Sequence, residues 1–147
     1  MLSIDTNILF HGFNADSPCH EAAYAWLESI ASIEEVALSE FILAEFHGLL
    51  RNPAVLKLPL SANEAVDVIQ TYRSHPRWRL IGFPIESRVL HDSLWEKARS
   101  KNFAFRRLYD TRSALTMIAQ GVTEFATTNV SDFQGLGFHR VWNPIAR

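Results

Sequence analysis

The stretch "MLSIDTNILF", residues 1–10, places a carboxylate where a short apolar run ends. Residues 1–4 predict a strand, and Asp5, Thr6 and Asn7 follow before apolar residues resume. Asp5 alone has two interpretations. It can form an Asx-type turn or cap a helix, or it can point into a crevice at the carboxyl end of a parallel strand, where ligands bind in open α/β sheets.

The rest of the chain alternates short apolar runs with amphipathic segments of helical spacing. Ser17, Ser39 and Ser61 stand where three helices would need an N-cap. Because parallel strands need crossover connections, the alternation favours an α/β fold with a mostly parallel sheet covered by helices on both faces, in one domain over residues 1–147. The predicted strands are 1–4, 35–39, 78–83, 124–128 and 139–144, and the predicted helices are about 17–31, 40–51, 61–74, 84–98 and 109–121, with Val89, Leu90, Leu94, Trp95 and Ala98 on one face of the fourth.

The composition is that of an ordinary globular protein, with 48% hydrophobic and 20% charged residues. The single cysteine, Cys19, excludes an internal disulfide, and no apolar stretch reaches the roughly 18 to 20 residues of a membrane span. No Lys or Arg precedes the first apolar run, so a secretory signal peptide is not expected. We therefore expect a cytoplasmic protein without a membrane partner.

The net charge of −2 argues against a nonspecific polyanion binder, but the charge is unevenly distributed. Residues 1–50 hold eight of the 16 acidic residues and no Lys or Arg. Six of the 14 basic residues lie between positions 97 and 112, where Asp110 is the only acid. This basic segment is either a solvated helix face or a local positive surface.

Three further acids have positions that need an explanation. Glu45 would share an apolar helical stripe with Phe41 and Leu49, where an unpaired carboxylate costs several kcal/mol unless a partner or a cation is present. Asp110 begins a predicted helix, which capping and the helix dipole could also explain. Asp132 follows a predicted strand, where a turn is the alternative.

Together these acids suggest a metal centre. If they converge to about 5 Å, each pair would repel by roughly 3 kcal/mol at an effective dielectric constant of 20, which divalent cations or protonation would relieve. Oxygen-only ligands favour Mg²⁺ or Mn²⁺ over zinc. The six histidines show no HExxH or CxxC companion typical of a zinc site.

Four blocks, "SIDTN", "SEFILAEFHGLL", "YDTRSALTMIAQG" and "ATTNVSDF", resemble the signature blocks of PIN-domain ribonucleases, and the short chain resembles the VapC toxins of toxin–antitoxin systems. The resemblance implies an α/β/α sandwich, a homodimer and inhibition by a cognate antitoxin. It implies that metal-activated water bound to Mg²⁺ or Mn²⁺ cleaves RNA. The implied catalytic and metal-binding residues are Asp5, Glu45, Asp110 and Asp132; the supporting residues are Thr6, Asn7, Thr128 and Asn129.

Asn129 departs from relatives that carry another acid at its position, which leaves the second metal site open. Arg106, Arg107 and Arg112 flank Asp110 and are candidates for contact with substrate phosphates, although Arg112 could instead pair with an acid on its own helix. The alanine-rich helix 17–31 is a candidate dimer surface.

Two other functions remain open at this point. The chain could be a noncatalytic RNA- or partner-binding module whose acids serve only as caps and salt bridges. It could also be a Mg²⁺-dependent phosphohydrolase with Asp5 as nucleophile. Against the latter, Asn7 stands where a haloacid-dehalogenase-like enzyme needs a second Asp.

Overall fold

The computed structural model describes residues 1–146, which form an α/β/α sandwich around a five-stranded sheet. The described strands are β1 (Leu2–Ile4), β2 (Val36–Ser39), β3 (Arg79–Ile81), β4 (Glu124–Ala126) and β5 (Arg140–Trp142). The described helices are α1 (Thr6–Phe13), α2 (His20–Ile30), α3 (Glu40–Leu50), α4 (Ala62–Arg73), α5 (Ser87–Ala98), α6 (Leu108–Ala119) and the short α7 (Val130–Phe133).

All described strand pairs are parallel, in the order β3-β2-β1-β4-β5. The chain runs outward from β1 to β3 and then crosses back to β4, so the order reverses between β1 and β4. Ile4 pairs with Ala126, which places Asp5 and Thr127 side by side just beyond the strand ends. This switch point is where open parallel sheets have their binding crevice.

The helices form two groups by contact: α1 to α4 pack on one another, and α5, α6 and α7 form the second group. The core contains fully buried Ile4, Ile8, Phe46 and Phe125. Gly12 lets α1 approach α2, because a Cβ at this position would lie 2.6 Å from Cδ1 of Leu27. The parallel sheet, the strand positions and the two helical layers confirm the predicted fold class.

Helix α1 was missed because its sequence, TNILFHGF, contains β-branched residues and a glycine, which are weak helix formers. Asp5 is its N-cap and accepts a hydrogen bond from the Thr6 N–H. Burial of Ile8 and Leu9, both 0% exposed, outweighs the weak propensity.

The predicted caps had mixed outcomes. Ser39 accepts from the Phe41 N–H, and Ser61 forms a complete capping box with Glu64. The Ser17 cap was wrong: α2 begins at His20, and the Ser17 hydroxyl accepts the Cys19 N–H in the preceding turn.

The helix predicted from Pro84 begins three residues later, at Ser87. Its predicted apolar face was also wrong in part. The helix buries Leu90 and Leu94 but leaves Val89 63% and Trp95 56% exposed. Only part of the apolar stripe meets the rest of the protein.

Candidate active site

Asp5 lies at this switch point, directly after β1. Its side chain is 6% exposed, and its carboxylate accepts three hydrogen bonds. Oδ1 accepts from the Thr6 N–H at 2.8 Å, while Oδ2 accepts from Asn7 Nδ2 at 3.1 Å and from the Thr127 hydroxyl at 2.6 Å. A buried carboxylate held by three donors is a poor nucleophile, which disfavours the phosphohydrolase with a covalent Asp5 intermediate.

Thr127 is a functional candidate that the sequence reasoning missed. It is 0% exposed, donates to Asp5 and accepts the Asn129 N–H at 2.9 Å. The backbone N–H of Thr128 approaches Asn7 Oδ1 at 3.3 Å. Asn7, Thr127, Thr128 and Asn129 therefore form one hydrogen-bond network, in which Asn7 and Thr127 contact the Asp5 carboxylate.

Glu45 approaches Asp5 from α3. Its Oε2 accepts a 2.9 Å hydrogen bond from the Thr6 hydroxyl. Thr6 therefore links the two acids: its backbone N–H donates to Asp5, and its side-chain hydroxyl donates to Glu45. The sequence placed Glu45 along an apolar stripe; the structure places it at the exposed edge of that stripe, with Ile42 buried and Phe41 half-buried beside it. The residue is thus exposed as a whole, while its carboxylate is partly buried and tethered to Thr6.

Asp110 lies in the first turn of α6 and Asp132 in the first turn of α7. The sequence predicted a strand-end loop for Asp132, which was wrong because residues 130–133 form a short helix. Arg107 joins the two elements by donating from Nη2 to the carbonyl oxygen of Asp132. This arginine is half-buried, and within residues 1–146 its Nε has no hydrogen-bond acceptor.

The acids influence one another electrostatically. Burial raises the pKa of Asp5 from 3.8 to about 6 against the opposing hydrogen bonds of Thr127 and Thr6, and the charges of Glu45 and Asp110 raise it further. Burial also raises the pKa of Glu45, as does Asp110. Burial and the charge of Asp132 raise the pKa of Asp110, and Arg107 lowers it. These effects connect all four predicted acids.

The donor set fits a hard divalent cation. All four side chains offer oxygen, and a cation would offset the burial and mutual repulsion that raise the pKa values of Asp5, Glu45 and Asp110. In the described residues 1–146, no three His, Cys, Asp or Glu side chains form a group that could hold one ion. A hard divalent cation held through one or two of these carboxylates would keep several waters.

The three candidate arginines have different surroundings. Arg106 is exposed, Arg107 is tied to Asp132, and Arg112 places its Cζ over the rings of Phe41 and Tyr109, at 5.6 and 5.3 Å from the ring centroids. The alternative that Arg112 pairs with an acid on its own helix was wrong, because none of the ion pairs in residues 1–146 contains it.

An apolar cavity in the described part of the chain lies away from these acids. It has a volume of about 540 Å³ and lies between the start of α5 and the end of α6. None of the four acids lines it; its walls include Phe83, Ile85, Val89 and Ile118. Chemistry and electrostatics therefore locate the candidate active site better than cavity size does.

Comparisons with known proteins agree with this fold. The PIN domain family model matches residues 2–136. Ribonuclease VapC24 of Mycobacterium tuberculosis is 46% identical over 145 residues, which cover 99% of this chain and 97% of the relative.

Solved structures show the same fold at lower sequence identity. VapC20 of Mycobacterium tuberculosis, described as a Sarcin–Ricin loop cleaving toxin, has a TM-score of 0.69 at 20% identity, covering 94% of this chain and 96% of VapC20. FitAB bound to the IR36 DNA fragment has a TM-score of 0.66 at 22% identity, covering 100% of this chain and 97% of that one. VapBC2 from Rickettsia felis, bound to a promoter DNA fragment, has a TM-score of 0.66 at 18% identity, with 97% of both chains covered.

The parallel sheet with acids around its switch point and the match over residues 2–136 define the class: the chain belongs to the PIN-domain family. Within that family, full-length similarity at 46% identity places it with the VapC ribonucleases. None of the helices in residues 1–146 has the length and apolar character required to cross a membrane.

Proposed function

We propose that the chain is a VapC-type toxin that hydrolyses RNA phosphodiester bonds at the centre formed by Asp5, Glu45, Asp110 and Asp132. The observation that carries this proposal is the mutual effect of the acids, three of which have raised pKa values because of burial and neighbouring carboxylates. Natural proteins keep such an unfavourable cluster where function needs it. The similarity to Ribonuclease VapC24 supports the substrate class.

Asp5 and Asp110 are the proposed principal metal ligands, with Glu45 or Asp132 completing a second site or orienting water. Mg²⁺, or Mn²⁺ in its place, would supply positive charge against the phosphate and lower the pKa of a water ligand. Thr127, Asn7 and the Thr6 N–H fix the Asp5 carboxylate. Thr6 orients Glu45 through its hydroxyl. The protein thus contributes a preorganised set of anionic oxygens and needs no covalent intermediate.

The arginines have unequal prospects as phosphate ligands. Arg106 is exposed and has no carboxylate partner among the ion pairs of the described residues, so it is the proposed phosphate contact. Arg107 already donates to the carbonyl oxygen of Asp132 and offsets the charge of Asp110. Its proposed role is to position the two acids.

A cognate antitoxin is the proposed protein partner. Two solved structures with this fold are FitAB and VapBC2, each bound to DNA. By analogy, a partner segment would cover the acidic crevice of this chain and block the approach of RNA. The cytoplasmic location stays a prediction, as does the view that residues 1–147 act as one PIN domain.

A homodimer is also proposed. Helix α2 is less suitable as the interface than expected, because Trp26 packs inward against Trp142 with 6.4 Å between ring centroids. Ile85 and Val89, 103% and 63% exposed beside the apolar cavity, are better candidates. Ile85→Asp should convert a dimer into a monomer in size-exclusion chromatography with light scattering. A wild-type protein that is monomeric at high micromolar concentration would contradict this proposal.

Cleavage of RNA by the purified chain tests the nuclease proposal. Wild-type protein freed of any antitoxin should cut RNA with Mg²⁺ or Mn²⁺ and stop when EDTA is added, leaving 5′-phosphate and 3′-hydroxyl ends. Asp5→Asn should fold and not cut. Asp16→Asn, which changes an exposed acid paired weakly with Lys57 at 4.0 Å, is the matched control and should cut normally. Full cleavage by folded Asp5→Asn would exclude the proposed centre.

A further inference from the structure

We propose that Phe41, Tyr109 and Arg112 form a stacking platform for an unpaired nucleobase of the RNA substrate. The inference rests on the proposed nuclease function and deepens it, because it proposes where an uncharged base of the RNA binds. It also gives Arg112 a different role from phosphate contact.

The platform is built from two helices. Arg112 and Tyr109 lie one turn apart on α6, and the Arg112 guanidinium also covers Phe41 on α3. Phe83 supports Phe41 from the side in an edge-to-face contact, with 4.9 Å between ring centroids. The three rings and the cation thus hold one another in a defined geometry although they come from distant parts of the sequence.

Much of this cluster faces solvent. Tyr109 is 64% exposed and Phe83 is 76% exposed, so they contribute little to the core of the chain. A conjugated aromatic group presented to water beside a planar cation has the surface on which unpaired bases stack. Stacking of this kind tolerates any base, since every base has a π-face.

The platform adjoins the acidic centre. Phe41 precedes Glu45 by one turn of α3, and Tyr109 directly precedes Asp110 on α6. A nucleotide whose phosphate is at the carboxylates would therefore have its base, or that of its neighbour, near the platform. This continuity favours a segment of the substrate over an unrelated ligand.

Charge argues for RNA as the occupant. Arg112 forms none of the ion pairs in residues 1–146, and neither does Arg106. An uncompensated guanidinium on an aromatic surface suits a polyanion with planar bases better than an apolar peptide. Base-paired RNA hides its base faces, so the platform predicts a preference for single-stranded or looped substrate.

Binding of two probes to wild type and Tyr109→Leu tests the platform. The probes are a fluorescent 20-nucleotide RNA of random sequence and a ribose-phosphate oligomer of the same length without bases, both measured by anisotropy with Ca²⁺ in place of Mg²⁺ to slow cleavage. Loss of one stacked base should raise the Kd for RNA about 5- to 150-fold in Tyr109→Leu. The Kd for the abasic oligomer should change less than about twofold, because it has no base to lose.

Tyr24→Leu is the matched control, because Tyr24 is also helical and 55% exposed but lies on α2. It should bind both probes like wild type, and all variants should melt at the wild-type temperature. Arg112→Lys, which keeps the charge and loses the planar group, should weaken RNA binding and spare abasic binding.

Several results would overturn the platform: unchanged RNA binding by Tyr109→Leu, an equal loss for both probes, or wild-type protein that binds RNA no more tightly than the abasic oligomer. Wild-type cleavage with Mg²⁺ is recorded separately. Cleavage together with unchanged RNA binding by Tyr109→Leu would overturn the platform alone, whereas absence of cleavage by wild type would overturn the proposed function.

Discussion

Asp5→Asn should stabilise the metal-free protein at pH 7.5 while it abolishes cleavage. The Asp5 pKa is raised from 3.8 to about 6, first by burial and then by the charges of Glu45 and Asp110, so the ionised form is unfavourable in the folded state. A group whose folded pKa lies above its unfolded value contributes stability below the unfolded pKa. That contribution is lost as the pH rises through about 6.

The two pKa values set the magnitude. Linkage gives a loss of about 0.5 kcal/mol at pH 4 and about 3 kcal/mol at pH 7.5 for Asp5. The neutral amide that Asp5→Asn introduces avoids this loss but gives up one or two of the hydrogen bonds to Asp5, at about 1 kcal/mol each. The net gain at pH 7.5 is then about 1 to 2 kcal/mol. The difference between the two pH values is about 2.5 kcal/mol and does not depend on the hydrogen bonds.

Thermal unfolding in EDTA at pH 4 and pH 7.5 measures this difference. At about 2 to 4 °C per kcal/mol for a chain of this size, the Tm of Asp5→Asn relative to wild type should be higher at pH 7.5 than at pH 4 by about 5 to 10 °C. Asp16→Asn, at an exposed ion pair, should show little difference between the two conditions. An equal change in Tm for Asp5→Asn at both pH values would refute the electrostatic reasoning.

Three other predictions test neighbouring parts of the site. Mg²⁺ at about 100 times its Kd should stabilise wild type by about 2.7 kcal/mol at pH 7.5, measured as a rise in Tm. Asp110→Asn should show no such rise. An equal rise in Tm for wild type and Asp110→Asn would place the metal elsewhere. Thr127→Val removes the 2.6 Å hydrogen bond to Asp5 and should lower the cleavage rate about 10- to 100-fold. Thr71→Val, at an exposed position on α4, should cleave at the wild-type rate. Equal cleavage rates for the two variants would exclude the role of Thr127. Arg107→Ala removes the cation that lowers the pKa of Asp110, so the acid limb of the pH–rate profile should move to higher pH. Arg106→Ala, at an exposed position, should leave that limb in place. An unchanged acid limb in Arg107→Ala, or the same movement in Arg106→Ala, would contradict the positioning role of Arg107.

The sheet could be predicted because its strands are short apolar runs between amphipathic segments. Buried parallel strands and their crossover helices require this alternation, and it is visible in the local sequence. Helix α1 could not, because its sequence has weak helix propensity and its stability comes from packing against α2 and α3. Asp5 combines both interpretations offered for it. It caps α1, and the same carboxylate accepts a hydrogen bond from Thr127 just beyond the end of β4.

The four acids stay a prediction as a set, and the residues that contact them depend on strand register. In "TTN", the choice between Thr127 and Thr128 depends on the register of β4 against β1, which pairs Ala126 with Ile4. A parallel alignment of the two strand ends would have identified Thr127. The contacts of Arg107 with Asp132 and of Arg112 with Phe41 join residues distant in sequence, so local pattern did not predict them.

The central claim is that the acids act as one metal-dependent centre, and single-turnover RNA cleavage by Asp5→Asn, Asp110→Asn and the double variant tests it most directly. If the two carboxylates act as a unit, each single variant should lose at least about 10³-fold in rate, and the double variant should be no slower than the slower single variant. Losses that multiply in the double variant, or a single variant that cleaves RNA at the wild-type rate while folded, would contradict the claim.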